Sequence, residues 1–476
     1  MKPRFSPSAA RLLLATAAVV LSGCAAVGPD YHKPVAAYPA FRNGSAAAPA
    51  PDTARSHAAW WSAFGDAALD GLEARALAEN PGLAAAAARV DAARARLGEV
   101  RADRLPSAAS TGTAILASEG ATRTIPMPGH PLSYRTRGDS YDLGFGASYE
   151  LDLWGRVRRE VQSSAAQAAA SEADARATRL ALCADLAQTY FLYRELEAET
   201  AIETRSIAVQ ADNLQILRAR ERGGFATDLD LERAQAELAT SQADAADLVR
   251  RREQTFDALA LLAGTDPAEL APLVAETRLP SPPRIPGGVP SEVLKRRPDV
   301  AAAEERLKAA TADIGVAIAD RYPSFQLTGS AGFDSLALRT LLQEPSRYWQ
   351  LGPTLTGSLF DGGRGKARVA AARAEASAAL ADYRTQCLRA LGDVEDALVA
   401  LRQDSVRDDA LQRALRSSRT TVQLANERYT HGLTNYLDVL DAQRSALQVE
   451  RSLCEVDGAR LTGTVQLVRA LGGGWD

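Results

Sequence analysis

The chain has 476 residues, a formal net charge of −4 at pH 7, four Cys and four His. Its length allows a large core or several domains, and its mild charge argues against a nucleic-acid partner. No Cys or His spacing matches a metal site, and neither a Gly-rich phosphate loop nor a His-centred catalytic group is recognisable. The sequence therefore predicts a protein that is not an enzyme and holds no metal or other cofactor. Cys183, Cys387 and Cys454 are too few for a disulfide framework, so at least one is expected to be a buried, unpaired thiol.

The N terminus predicts export from the cytoplasm. Cationic residues at positions 2, 4 and 11 precede the apolar run 12–21, which is shorter than the roughly 20 residues that a membrane-spanning helix needs. This is the pattern of a signal peptide over residues 1–23. The LSGC sequence at 21–24 resembles a bacterial lipobox, which implies acyl chains, palmitate among them, on Cys24. Because no Asp follows Cys24, we expect the outer membrane, with the Pro-, Ala- and Gly-rich residues 24–65 as a lipidated tether.

The first half of the remaining chain, residues 66–271, combines strand-like and helix-like sequence. Residues 141–153 alternate between apolar and polar or small side chains, and residues 107–116 do so more weakly. A period of two predicts β-strands, and these have about the 9–11 residues of a strand that crosses a membrane. The next stretch, 155–222, has no Pro and carries apolar residues at heptad spacing. It predicts a coiled-coil helix roughly 100 Å long.

The second half repeats this order after a Pro-rich linker at residues 272–290. Within residues 291–476, strands are predicted at 324–333 and 349–360, and a Pro-free helix at 363–431. At the start of this half, the sequence RRPD at 296–299 predicts a helix that begins at its Pro. Ordinary periplasmic β-hairpins are the alternative interpretation of the four strands.

The two halves are copies of one another. Arg156 matches Arg364, Gln235 matches Gln443 and Gly264 matches Gly472, all with an offset of 208 residues. Such a long-period duplication predicts a helix, a strand, a loop, a strand, a very long helix, a short turn and a helix in each half.

The expected fold is therefore mainly α with a membrane β-barrel. Four strands per chain cannot close a barrel, and open sheet edges are not tolerated in lipid. Known single-chain barrels start at eight strands, so either two copies pool eight strands or three copies pool twelve. Three copies would also gather six long helices into a hollow tunnel, which is the form of a conduit.

Several short motifs identify a family. They are VGPDY at 27–31, RRPDV at 296–300, FQLTG at 325–329, LFDGG at 359–363 and YLDVLDAQR at 436–444. With the duplication, the chain resembles the TolC-like outer-membrane factors, and among them the NodT-type lipoproteins of RND efflux pumps. The resemblance implies a homotrimer with a twelve-stranded barrel and an α-helical periplasmic tunnel. It also implies two partners, a periplasmic adaptor (membrane fusion) protein and an inner-membrane RND-type pump, and a passive role in exporting drugs or other toxic small molecules, as in multidrug resistance.

The periplasmic entrance is expected at the two helix–helix turns, around Gly223-Gly224 and Gly432. Just beyond the second turn, Asp438 and Asp441 are three residues apart and so share one helix face. In a trimer each becomes a ring of three carboxylates that would select for cations, and the resemblance implies such a ring. The alternative is that these acids stabilise the helix dipole.

The resemblance also implies a closing contact at this entrance. Asp230 is the repeat partner of Asp438, and the family pattern has an Asp here that accepts hydrogen bonds from a Tyr and an Arg of the second turn. Tyr429 matches the Tyr, but Thr434 stands at the position of the Arg. Arg428 is the candidate substitute.

Two other functions remain open from the sequence. A channel of the same family could serve type I protein secretion, although the lipobox and the YLDVLDAQR motif favour efflux. A purely structural coiled-coil lipoprotein could tether layers of the envelope, although the alternating strands and the duplication argue against it.

Overall fold

A computed structural model describes residues 26–34, 41–43, 59–116, 121–125, 132–136, 139–271, 274, 279–283 and 290–473. The signal peptide, Cys24, and parts of the tether and of the Pro-rich linker lie outside the described residues. None of the described helices combines the length and the apolar character needed to cross a bilayer.

Helices dominate both halves. The first half contains α1 (Ala67–Glu79), α2 (Pro81–Ala102), α3 (Arg156–Arg222), α4 (Asp228–Ala263) and α5 (Pro267–Leu270). The second contains α6 (Pro290–Arg296), α7 (Pro298–Ala319), α8 (Arg364–Thr430) and α9 (Tyr436–Leu471). The duplication is visible in the lengths, since α3 and α8 have 67 residues each and α4 and α9 have 36 each.

A four-stranded antiparallel sheet has the order β1 (Ser107–Ile115), β4 (Ser140–Glu150), β5 (Ser324–Ser335), β6 (Arg347–Thr356). Both β4 and β6 end before the predicted boundaries at 153 and 360. They end early because a residue that follows each strand caps the N terminus of the next helix. Asp152 accepts hydrogen bonds from the backbone N–H groups of Val157 and Arg158, and Asp361 accepts them from Gly363 and Gly365.

A second sheet was not predicted from the sequence. A hairpin of β2 (Ala121–Ile125) and β3 (Leu132–Thr136) lies in the loop between β1 and β4. Each strand has only five residues, too few to establish a period of two, and three prolines stand between them.

The chain divides into two compact units, each drawing on both halves of the duplication. The first contains the four-stranded sheet and takes its described residues from within 1–34, 90–171 and 303–382. Here the backbone around the VGPDY motif docks on Arg159, which donates hydrogen bonds to the carbonyl oxygens of Val27 and Gly28 and pairs with Asp30 at 2.9 Å. Gly28 has a φ of +97°, and a Cβ at this position would come within 2.5 Å of the Cα of Gly315.

The second unit is helical in its described residues, which come from within 35–89, 172–302 and 383–476. Its largest apolar cluster includes Trp60, Trp61, Phe64 and Phe191. Asp66 caps α1 by accepting from the N–H groups of Ala68 and Leu69, and its other oxygen accepts from the Tyr190 hydroxyl at 2.8 Å. Cys183, Cys387 and Cys454 are all free and buried.

The helix predicted to begin at Pro298 does begin there. The preceding Arg297 is nearly buried and forms ion pairs with Asp299 at 2.6 Å and with Asp393 at 2.8 Å. Gln386 also donates a hydrogen bond to Asp299. The motif therefore fixes α7 against α8 within the helical unit.

Candidate functional site at the helix turns

The two helix–helix turns have the same backbone design. The N–H of Phe225 donates to the carbonyl of Arg220, and 208 residues later the N–H of Leu433 donates to the carbonyl of Arg428, both at 2.8 Å. Gly224 and Gly432 take the left-handed conformation, with φ of +75° and +69°. This is the closing pattern of a helix whose C′ residue needs a positive φ, which Gly adopts without strain.

The helices that follow the turns begin with matching caps. The Thr227 hydroxyl accepts from the N–H of Asp230 and donates to its carboxylate at 2.7 Å. In the second half, Asn435 accepts from the N–H of Asp438 at 3.1 Å, and the Asp438 carboxylate contacts the Thr434 hydroxyl. Both acids therefore lie in a first helical turn, where the partial positive charge of the helix N terminus favours them.

Asp438 and Asp441 are both exposed and lie on one face of α9. The helix dipole explains Asp438, which is in the capped first turn. It does not explain Asp441, because the effect of the dipole falls off within that turn. Asp441 is the residue for which the pore interpretation has the stronger physical case.

Among the described residues, the Tyr429 ring contacts Tyr436 and Arg220 rather than Asp230. Its ring packs on the Tyr436 ring at a centroid distance of 5.4 Å, and the Arg220 guanidinium lies 4.8 Å from its centre. The Asp230 carboxylate bonds to Thr227 instead, and the Arg428 side chain is exposed.

The arginine that reaches Tyr429 is Arg220, at the end of α3, and this contact was not predicted from the sequence. Arg220 is the repeat partner of Arg428 and lies 208 residues earlier. The duplication could therefore have indicated Arg220 as a second candidate for the contact with Tyr429. A cation over an aromatic face contributes about 0.5–1 kcal/mol at exposed sites.

Tyr436 is the buried centre of this site. It packs in an apolar cluster with Leu214, Leu217, Val439 and Leu440. Burial, and then the nearby Tyr429, Asp230 and Glu237, raise the pKa of Tyr436 to about 12, so the phenol stays protonated. The apolar cluster around Tyr436 therefore holds the two turns together, next to the acidic residues Asp230 and Glu237.

Ion pairs continue from the turns along α3, α4 and α9. Arg444 pairs with Glu237, and Arg451, seven residues further along, pairs with Glu203 and, at 3.5 Å, with Asp244. Heptad spacing of opposite charges on neighbouring helices is typical of coiled-coil flanks.

The tips of both turns expose apolar side chains. Phe225 is 84% exposed and its repeat partner Leu433 is 68% exposed. The two turns therefore expose an apolar side chain at the same position of the repeat. In the described part of the chain, no group of three or more His, Cys, Asp or Glu residues is arranged to hold a metal ion.

Comparison with known proteins agrees with this geometry. The model of the family described as "Outer membrane efflux protein" matches residues 72–265 and 289–473. The chain is 36% identical to the outer membrane protein OprJ of Pseudomonas aeruginosa, over 100% of this chain and 97% of OprJ. It is 31% identical to the toluene efflux pump outer membrane protein TtgC of Pseudomonas putida, over 98% of this chain and 95% of TtgC. Among solved structures, the outer-membrane channel OprN superposes with a TM-score of 0.86 at 35% identity, covering 94% of this chain and 99% of OprN.

Proposed function

Because the chain belongs to the outer membrane efflux protein family, we propose that it is the outer-membrane channel subunit of a tripartite efflux pump. In this role it is a passive conduit through which small toxic molecules leave the periplasm. The observation that carries the proposal is the duplicated pairing of membrane-length strands with very long helices, along a chain that superposes on a solved channel over 94% of its length.

The open sheet supports assembly as a homotrimer. A four-stranded sheet has two unpaired edges, and lipid does not tolerate them. Three copies would pool their strands into one closed sheet of twelve. Native mass measurement in detergent should find three chains, whereas two chains would point to eight pooled strands and a stable membrane monomer would exclude the proposal.

Export is tested in the cells that carry the gene. Deleting it should raise the accumulation of a fluorescent pump substrate such as ethidium, and the wild-type chain on a plasmid should restore efflux. If deletion leaves ethidium accumulation unchanged but abolishes the appearance of one secreted protein in the medium, the channel serves protein secretion.

The acids beyond the second turn supply cation selectivity in this proposal. Threefold symmetry would place three copies each of Asp438 and Asp441 around the axis, and six carboxylates at a narrow entrance raise the local cation concentration. Asp438→Asn/Asp441→Asn should lower cation selectivity and relieve block by multivalent cations. Asp228→Asn, which removes an exposed acid from the first turn of α4, is the matched control. If both variants keep wild-type selectivity, the acids serve only the helix dipole.

The exposed turn tips are the proposed docking surface for the periplasmic adaptor, which in turn connects to an RND-type inner-membrane pump. Phe225 and Leu433 would bury their apolar side chains against it. Phe225→Ser/Leu433→Ser should reduce co-purification of a periplasmic adaptor protein from the same cells while leaving the mass of the assembly unchanged. Unchanged co-purification would place the docking surface elsewhere.

Cys24 is the proposed lipid anchor to the outer membrane. Its support is the LSGC sequence directly after a short apolar run. A clickable palmitate analogue should label the wild-type chain and not Cys24→Ala. Label that persists on Cys24→Ala would rule out this anchor.

A further inference from the structure

A row of contacts at heptad spacing joins α9 to the helices of the first half. Arg444 pairs with Glu237 of α4, and Arg451 pairs with the fully buried Glu203 of α3. The next position of this row on α9 is Gly458. The third position therefore lacks the arginine of the other two, although an acid of α3 lies opposite it as well.

That acid is Glu195, and its side chain fills the space that a side chain at position 458 would need. A Cβ at Gly458 would lie 2.9 Å from the Cγ of Glu195, 2.6 Å from its Cδ and closer still to its Oε2. One turn earlier on α9, the buried Cys454 thiol donates to the backbone carbonyl of Glu195 at 3.6 Å. Gly458 thus forms a notch in α9 that holds the Glu195 carboxyl group. The duplication does not supply this contact, since the repeat partners are Gln403 and Arg250.

The neighbours of Glu195 make a negative charge unfavourable in the notch. The charged and titratable groups around it are Glu199 and Glu203 on α3, Arg251 on α4, Cys454, Glu455 and Arg451 on α9, and Arg407 on α8, which pairs with Glu455 at 3.6 Å. Arg451 is already paired with Glu203, and Arg251 is exposed. Burial first, and then Glu199 and Glu455, raise the pKa of Glu195 to about 7, while Arg251 opposes this shift.

We propose that Glu195 is a proton-operated latch between α3 and α9. When protonated, its side chain is neutral and stays in the notch at Gly458, so that α9 lies close against α3. When ionised, the carboxylate is repelled by Glu199 and Glu455 and loses its hydration in the notch, so it moves out to water. This stretch of α9 is then held less tightly.

The direction of the pH dependence follows from the two protonation equilibria. The pKa of Glu195 is about 7 in the notch and 4.5 for an ordinary glutamate in water. The latch is therefore complete below about 4.5 and is lost progressively as pH rises to about 7. Because α9 also carries Asp438 and Asp441, the latch would set how firmly the helix behind the proposed entrance is held, and this consequence alone rests on the proposed function.

The native Cys454 thiol reports on the latch, because it is buried beside Glu195. The purified protein in detergent is treated with N-ethylmaleimide at pH 5 and at pH 7.5, and labelling of Cys454 is followed by peptide mass spectrometry, with the buried Cys387 as internal reference. Glu195→Gln keeps a neutral side chain in the notch at both pH values. The wild-type rate should equal that of Glu195→Gln at pH 5 and exceed it about fivefold or more at pH 7.5.

Two further variants complete the test. Asp212→Asn removes an exposed acid of α3 and should behave as wild type. Gly458→Ala puts a methyl group in the notch, so Cys454 should be labelled faster than in Glu195→Gln already at pH 5, by a factor that stays the same at pH 7.5.

Comparing variants at the same pH removes the pH dependence of the thiol chemistry itself. Burial, and then the charge of Glu195, raise the pKa of Cys454 to about 12. Removing that charge would by itself make the thiol more acidic and speed its labelling in Glu195→Gln, which is opposite to the expected result.

Equal labelling of wild type and Glu195→Gln at pH 7.5 overturns the latch, as does a Gly458→Ala variant that keeps the wild-type pH dependence. Single-channel currents from the same preparation separate this outcome from a failure of the proposed function. A protein that conducts ions but shows no pH effect at Cys454 removes only the latch. A protein that shows the pH effect but passes no current removes only the proposed function.

Discussion

At the scale of single residues, the acid Glu73 is buried without a charged partner that the structure pairs with it. It is fully buried in α1, and its two carboxylate oxygens have no N–H or O–H donor among the described residues. Burial raises the pKa of Glu73 to about 8, the Cys183 thiol lowers it in part, and the nearby Asp70 raises it further. The side chain is therefore mostly protonated at neutral pH.

This pKa predicts a pH-dependent stability. Between about 4.5 and about 8, the unfolded chain ionises Glu73 while the native state keeps it protonated, so the free energy of unfolding falls as pH rises through this window. Glu73→Gln cannot ionise and should lose that part of the pH dependence. Melting temperatures in detergent at pH 5, 7 and 8.5 measure it, with the exposed Glu99→Gln as control. Parallel pH profiles for wild type and Glu73→Gln would show that Glu73 is ionised in the native protein.

At the scale of elements, the segment 26–34 is held by a close backbone approach. Gly28 and Gly65 both have a positive φ, but only Gly28 is crowded, since a Cβ at Gly65 would meet nothing within 4 Å. Either substitution by Ala costs roughly 1–2 kcal/mol of backbone strain. Gly28→Ala should in addition detach the segment from α7 and speed its cleavage by protease severalfold. Equal cleavage of Gly28→Ala and Gly65→Ala would mean that the contact with Gly315 does not hold the segment.

Elements with a clear hydrophobic period could be predicted from the sequence. The end of a strand could not, where the residues after it cap the next helix instead of pairing in the sheet. The alternation in the sequence runs to Leu153, but the last residue paired in the sheet is Glu150. Pairing ends there because Asp152 accepts hydrogen bonds from the first N–H groups of α3. At the turns, the sequence placed Tyr429 and Asp230 correctly on their elements. It could not show which arginine crosses to Tyr429, because that choice depends on how α3 packs against α8.

At the scale of the whole molecule, the duplication explains both the order of the elements and the two unpaired edges of the described sheet. Two halves give two pairs of strands, but only one of the two equivalent junctions between halves is made within the chain. The sequence predicted that four strands per chain are too few to close a barrel, and that one chain alone would leave open edges that lipid does not tolerate. It left the choice between two and three copies open, because the strand count of one chain does not fix a symmetry.

Single-channel recording in planar bilayers tests most directly whether the assembled protein is a conduit. The purified wild-type protein should produce discrete, cation-selective current steps. Asp230→Ala should raise the conductance by loosening the first turn of α4. A protein that inserts into the bilayer as a stable oligomer, yet passes no current as wild type or as Asp230→Ala, would contradict the account and leave the coiled-coil tether as the function.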